Sequence, residues 1–328
     1  MHGLSCRTKA CQVWARLQDC TNLKRMLLPV ISRIMPGPMQ RSSRTAGRIP
    51  ANKWDRKEEM LKYYHEKTVL LTGAFGGFGK HFANQLLEAG AKLVLSDVAE
   101  KPLADVVRKK EWEQRVLGII ATDLSTGKGC RQLYKDVSSL GVNPDIIIHN
   151  AGIGFGGAFV DIPFKNIERV FNVNLMSIAH LNSLFLPGMI RRESGHLIYV
   201  SSVAGFVATP FGVAYSASKF GVRAMAMALH GEIKRHGIRT SITYPFWSKT
   251  PIMQSQVFGN PDLKTMPDFF ADEPGDVVRT SLKGAAKGKL HIRPGFFSKA
   301  MWQAVRITPV IAAQRIMRDE LIEGQPGG

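Results

Sequence analysis

The sequence contains no uninterrupted run of 18 or more apolar residues, the length a membrane-spanning helix requires. The longest apolar stretch near the start, "MLLPVISRIM", is broken by Pro29 and fits neither a spanning helix nor a secretory signal. Cysteine is scarce as well. Cys6, Cys11, Cys20 and Cys130 are the only four, three of them within the first twenty residues. They show no metal-ligand spacing and form no Cys/His cluster for zinc, which suggests reduced thiols rather than a disulfide framework, and no metal is expected. Acid is missing from two regions. The first 50 residues carry nine Lys/Arg against Asp19 alone, and Arg279 to Arg318 carries nine Lys/Arg and no acid. These two stretches account for most of the net charge of +18. No nucleic-acid motif accompanies the charge, so a nucleic-acid interface is not expected.

What is present falls into three parts. Residues 1–60 read as a basic arm. "MPGPMQRSSRTAGRIPANK" is rich in Pro, Gly, Ser and Arg without periodicity, which is the composition of disorder. An Arg-rich, acid-poor start also suits a mitochondrial transit peptide, while Met60 would be a natural beginning for the domain that follows. Without transit, a cytoplasmic location with peripheral membrane contact is the expectation. Residues 61–295 read as one domain. The short apolar runs "TVLLTG", "AKLVLSD", "RVLGIIATD", "DIIIHN", "GHLIYVSS", "IRTSITYP" and "KLHIRP" alternate with segments of helical spacing. Strands alternating with helices predict an α/β fold, a seven-stranded parallel sheet covered on both faces and doubly wound. Residues 296–328 read as a basic amphipathic tail. Phe296, Phe297, Met301, Trp302, Val305, Ile311, Ile316 and Met317 stand among Lys299, Arg306, Arg315 and Arg318. Such a segment lies on an anionic membrane or packs against protein, and Pro309 interrupts any single long helix.

Two features suggest a dinucleotide. "TGAFGGFG" joins the first strand to the first helix, and Gly73, Gly77 and Gly79 let the backbone turn tightly and approach a pyrophosphate at the helix N-terminus. Its Gly-x-x-x-Gly-x-Gly spacing differs from the commoner Gly-x-Gly-x-x-Gly. Asp97 ends the second strand, 18 residues beyond Gly79, where a carboxylate accepts hydrogen bonds from a ribose and repels a 2′-phosphate. No Lys or Arg lies inside the turn or immediately after Asp97. NAD is therefore expected over NADP.

A third feature suggests proton transfer. In "YSASK", Tyr215 and Lys219 stand at i and i+4 and share a helix face. An ammonium beside a phenol lowers its pKa from about 10 toward neutrality. Asn174 falls within an apolar stripe of Ile167, Phe171, Ile178 and Leu181, where an amide must find partners. His149, at a strand end, reads as a packed residue rather than a catalyst.

Together, Thr72-Gly73-x-x-x-Gly77-x-Gly79, "NAG" at Asn150 to Gly152, and Ser202 placed 13 residues before Tyr215-x-x-x-Lys219 resemble the classical short-chain dehydrogenase/reductase family. The resemblance covers about residues 67 to 295 and implies a Rossmann-type sheet. It also implies an NAD(P)-dependent oxidoreductase moving hydride to or from a secondary alcohol or ketone. Tyr215 would be the general acid or base. Lys219 would hold the nicotinamide ribose and lower the tyrosine's pKa. Ser202 would bond the substrate oxygen, and Asn174 would maintain a proton-relay water. Gly73, Gly77, Phe78 and Gly79 would line the phosphates, Asp123 and Leu124 the adenine, and Asn150, Ala151 and Gly152 the channel. Thr250 would reach the carboxamide. A homodimer or homotetramer is implied as well.

Two positions depart from the family. Phe246 follows Pro245 where glycine is common, and Ser241 stands where asparagine is common. Phe246 would crowd the nicotinamide or reshape the substrate site. The segment between Thr250 and Asp276 holds Ile252, Met253, Val257, Phe258, Leu263, Met266, Phe269 and Phe270. It closes over an apolar substrate of lipid, steroid or retinoid type, or it packs on the core. Two rivals remain open: an NADPH-dependent carbonyl reductase, and a weakly catalytic cofactor-binding scaffold at a membrane surface.

Overall fold

The computed structural model describes residues 55–98, 106–107, 109–259 and 271–307. Seven strands form one parallel sheet: β1 (Thr68–Thr72), β2 (Lys92–Asp97), β3 (Val116–Ala121), β4 (Ile146–His149), β6 (Gly195–Val200), β7 (Ile238–Thr243) and β9 (His291–Ile292). Their order is β3-β2-β1-β4-β6-β7-β9, with Leu70 paired to Val94 on one side and Ile147 on the other. All seven lie where the apolar runs predicted them.

Side chains alternate across each strand, so the sheet builds two cores. Leu70, Val94, Ile147, Leu197 and Ile242 face one side. Against them pack α5 (Ser177–Arg191) and α6 (Val213–Ile233) through Leu181, Phe185, Val222 and Ala226. Val69, Leu71, Leu93, Ile146, Ile148 and Ile198 face the other side. There they meet Phe82 and Leu86 of α2 (Gly77–Glu88) and Val278 and Leu282 of α7 (Pro274–Ala286). Helix α3 (Gly127–Ser139) adds Cys130 and Leu133 to the first core. Cys130 is a buried free thiol whose pKa burial pushes up to about 11, which leaves it unreactive.

The domain extends further at both ends than its composition suggested. Helix α1 (Asp55–Tyr64) precedes β1 and buries Met60 and Tyr64, whose hydroxyl donates to the Leu282 carbonyl at 2.9 Å. Helix α8 (Gly295–Ile307) belongs to the fold rather than to a detached tail. Phe297, Ala300, Met301 and Ala304 are buried, so the apolar face of this part of the tail is taken up by protein. Ile311, Ile316 and Met317, and the whole arm before Asp55, lie outside the described residues.

The sequence did not announce two further features. Phe164 to Arg191 runs as a continuous helix of 28 residues, apolar enough by length and composition to cross a membrane although Asn174 and Asn182 interrupt any simple run. It lies on the sheet as a core helix. Its middle, Asn172–Met176, between α4 (Phe164–Phe171) and α5, is one π-helical turn. A small ribbon pairs β5 (Gly156–Gly157) with β8 (Val257–Phe258), joining the loop after β4 to the start of the apolar segment.

Candidate functional site

The strand order reverses between β1 and β4, and a crevice opens beyond their C-terminal ends. The glycine turn fills one wall. Gly73 holds φ +65°, a left-handed conformation that favours glycine, and the backbone of Ala151 lies 2.8 Å from where a Cβ would sit. Helix α2 begins at Gly76 with no side-chain cap, leaving its first-turn N–H groups to a ligand. Gly79 carries no Cβ because the Gly73 carbonyl occupies that space, and Phe78 packs partly against the second core. This turn fits a dinucleotide pyrophosphate: uncapped donors, a positive dipole end and backbone free of side chains.

Asp97 ends β2 beside the turn. Its carboxylate accepts from the Phe75 and Val98 N–H groups, each at 2.8 Å. Two backbone donors therefore fix its orientation, and its remaining lone pairs are available to hydroxyl donors. Asp123 is held similarly by the Ser125 N–H at 2.9 Å, with Leu124 buried beside it. Asn150 ties the channel to the turn, donating to the Thr72 and Gly73 carbonyls at 3.1 and 2.9 Å. The Thr72 hydroxyl accepts from the N–H groups of Asn150 and Ala151.

The π turn decides where Asn174 points. The extra residue swings its amide fully inside. Its Oδ1 accepts from the Ile153 N–H at 2.9 Å. Its Nδ2 donates to the Ile153 carbonyl at 2.9 Å and the Ser218 hydroxyl at 3.0 Å. Both amide hydrogens and one oxygen lone pair are used, and the loop after β4 is pinned against α6. A Cβ on Gly152 would lie 3.3 Å from Lys219 Nζ and 3.4 Å from Asn174 Oδ1, so both polar ends face one small space.

Tyr215 and Lys219 stand one turn apart near the start of α6, with Nζ 5.6 Å from the phenol ring centroid. Lys219 is buried and donates to the Val200 carbonyl at 3.0 Å. Burial lowers its pKa to about 8. Ser202 caps the short turn Val203–Gly205, accepting from the Ala204 N–H at 3.1 Å. It also stands close enough to Tyr215 to favour the phenolate. The sequence predicted a phenol pKa drawn down by Lys219. The structure corrects this. Burial of the phenolate is the larger effect and holds Tyr215 above its ordinary value, and the nearby Ser202 hydroxyl opposes it only in part. A protonated phenol at neutral pH is a proton donor, with Ser202 beside it to bond the same oxygen.

Thr250 starts the short turn Pro251–Gln254 and stands directly over Gly77. Phe246 is partly buried against the first core. It packs with Phe297 of α8, ring centroids 5.4 Å apart. Ser241 is buried and donates to the Lys289 carbonyl at 2.8 Å. His149 is packed: its Nε2 meets Asn182 Oδ1 at 2.9 Å, it stacks on Tyr199, and burial lowers its pKa to about 4. On the crevice rim, Phe155 meets Phe258 edge-on at 6.0 Å, and Ile252 and Val257 are exposed. Leu263, Met266, Phe269 and Phe270 lie outside the described residues. Among the described residues no cluster of three or more His, Cys, Asp or Glu could hold a metal.

The short chain dehydrogenase family model matches residues 67–259. SadH of Mycobacterium tuberculosis, named as an oxidoreductase, is 30% identical over 255 residues, 75% of this chain and 92% of its own length. Dehydrogenase/reductase SDR family member 7B of Xenopus laevis is 31% identical over 204 residues, 60% of this chain and 63% of its own. Among solved structures, a short-chain dehydrogenase from Sphingobium yanoikuyae in complex with NADPH has a TM-score of 0.64 at 24% identity, covering 80% of this chain and 98% of that one. A short-chain dehydrogenase/reductase from Burkholderia phymatum in complex with NAD has a TM-score of 0.61 at 23% identity, covering 81% and 98%. These two share the fold and differ in cofactor. The matched length, the sheet order and the family model together place this chain in the short-chain dehydrogenase/reductase family, as an oxidoreductase acting on CH–OH groups.

Proposed function

We propose that this chain is an NAD-dependent dehydrogenase of apolar secondary alcohols, reversible to ketone reduction. The observation that carries the cofactor choice is Asp97. A carboxylate locked by Phe75 and Val98 at the tip of β2 offers acceptors to ribose hydroxyls and repels a 2′-phosphate. Among the described residues no Lys or Arg is ion-paired with it.

A bound nicotinamide supplies or accepts the hydride. The chain's own groups do the rest. Tyr215 gives its phenolic proton to the oxygen of a ketone and is left as phenolate; in the reverse direction that phenolate takes the proton of an alcohol at the same oxygen. Ser202 bonds that same substrate oxygen and steadies its developing charge. Lys219 sits close enough to Tyr215 to favour the phenolate as it forms, and its low pKa lets it exchange protons near neutral pH. Asn174 positions the loop that carries Ile153 and faces the space beside Lys219. The apolar rim of Ile252, Val257, Phe155 and Phe258 supports an apolar substrate. Exposed Met176, Phe220 and Met227, the last two on one face of α6, support a subunit contact.

The test is a titration of the full chain with NADH and with NADPH, followed by nucleotide fluorescence. NADH should bind at least about tenfold tighter, a difference of about 1.4 kcal/mol. The Asp97→Asn variant, which keeps one acceptor oxygen but loses the charge and the second acceptor, should narrow the gap. Tighter NADPH binding would instead select the NADPH-dependent reductase. Binding of neither, by a folded protein, would overturn the dehydrogenase reading.

A further inference from the structure

The corner formed by α6, β9 and α8 carries a group of cations that Ser202, Tyr215 and Lys219 do not use. Trp302 of α8 is at its centre. The guanidinium carbon of Arg293 lies 4.1 Å from the Trp302 ring centroid, and that of Arg223 lies 5.2 Å from it. Tyr244 and His291 stack on the same indole, each inclined by 29°, and Phe206 closes its edge at 5.2 Å. The Tyr244 hydroxyl and His291 Nδ1 are hydrogen-bonded at 2.9 Å. Arg223 comes from α6, Arg293 follows β9, and Arg306 is in the last turn of α8. Three separate elements therefore converge to bring these charges together.

Among the described residues these charges have no counter-ion. Among the described residues no carboxylate makes an ion pair with Arg223, Arg293 or Arg306. After burial, the main influences disfavouring a protonated Arg293 are its neighbours Arg306 and Arg223. His291 feels Arg293, Arg223 and His230 in the same way. The Tyr244 phenolate favours the Arg293 charge more than either arginine opposes it, but burial pushes the phenol pKa up to about 12, so at neutral pH the phenol is uncharged and supplies no counter-charge. Two polar nitrogens are also left over: Arg293 Nε, a donor, and His230 Nδ1 are buried with no hydrogen-bond partner among the described residues. Buried polar atoms are normally paired, and a cluster of like charges is normally balanced.

We propose that this corner binds an oxyanion of the phosphate class, held by Arg223, Arg293 and Arg306. Trp302 acts as the platform that fixes two of the guanidinium planes by stacking. A planar carboxylate would satisfy one guanidinium fork, whereas a phosphate monoester offers three oxygens and close to two negative charges to three arginines. The phosphate belongs either to a soluble metabolite or to a lipid headgroup. The site is independent of the hydride-transfer reading: Lys219 bonds the Val200 carbonyl and Asp97 and Asn150 bond the glycine turn, none of them Arg223, Arg293 or Arg306.

The test uses thermal unfolding of the full chain at constant ionic strength, with inorganic phosphate replacing chloride. The unfolding temperature of the parent protein should rise with phosphate concentration. In Arg293→Gln and Arg306→Gln that rise should shrink to a small fraction, while NADH binding is unaffected. Arg306 is exposed, so its variant should fold. In chloride alone it should unfold at or above the parent temperature, because one repelling charge is gone. Flotation with phosphatidylcholine vesicles, with and without phosphatidic acid, identifies the source. Phosphatidic-acid-dependent flotation lost in Arg306→Gln assigns a lipid headgroup. A phosphate response without vesicle binding assigns a soluble ligand. Either upholds the site. An equal phosphate response in parent and variants would overturn it, as would no response, the result expected if Asp319, Glu320 or Glu323 supplied the counter-charge.

Discussion

Thr250 stands on Gly77: a Cβ added to Gly77 would lie 2.6 Å from both Cβ and Cγ2 of Thr250. The glycine therefore serves two purposes, opening the turn to a pyrophosphate and seating the residue expected at the carboxamide. Gly77→Ala should push Thr250 and Pro251 outward and weaken NADH binding by about tenfold or more, roughly 1.4 kcal/mol. Thr250→Gly in the same chain, which removes both clashing carbons, should recover part of the loss. Isothermal titration of the single and double variants decides it; no recovery would mean that the turn itself, and not Thr250, is disturbed.

Tyr215→Phe removes the only phenol placed beside Ser202 and Lys219 in the crevice. General acid–base groups contribute about 10²–10⁴-fold, and turnover should fall within that range. NADH binding should stay within about twofold, because the ring and its packing remain. Turnover that survives the change would leave Tyr215 without a catalytic role.

Lys219 gives a pH signature. Its pKa is about 8 in the folded chain against an ordinary 10.5. The unfolded chain therefore binds more protons between these values, and stability rises with pH across that window. Below pH 8 the buried ammonium costs up to about 3 kcal/mol, from a shift near 2.5 units at 1.36 kcal/mol each. Lys219→Met should remove this dependence. Urea unfolding from pH 7 to 11 should show the variant gaining most over the parent at the low end, with the gap closing above pH 10.5. A constant gap would contradict a burial-driven shift.

Asp272 gives the opposite sign. Burial, with Asp276 adding to it, raises its pKa to about 6 from 3.8, and its Oδ2 has no hydrogen-bond partner. The folded chain binds the extra proton, so this contribution to stability is present below pH 3.8 and is lost as pH rises through 6. Asp272→Asn should stabilise the protein at pH 7.5 and lose its advantage near pH 4. Matched denaturation curves at the two pH values measure this; destabilisation at pH 7.5 would mean that the charge has a favourable partner.

The sequence by itself determined the sheet and the turn. Seven apolar runs bounded by turn residues became the seven strands, because a strand buried on both faces must be apolar throughout and has no other use for that pattern. Gly73, Gly77 and Gly79 were legible because close backbone approach permits no side chain, and Tyr215 and Lys219 because i and i+4 share a face. The ends of the domain were not legible. Tyr64 and Met301 are buried by partners remote in sequence, and composition cannot show that the basic surroundings of α8 cover an apolar face docked on the core. The π turn at Asn174 was equally hidden, since its extra residue is held in place by bonds to Ile153 and Ser218 from other elements. Tertiary structure also decided the direction of the Tyr215 shift. Spacing shows that an ammonium is near a phenol, but only folding shows how much water both have lost, and here the lost water outweighs the charge.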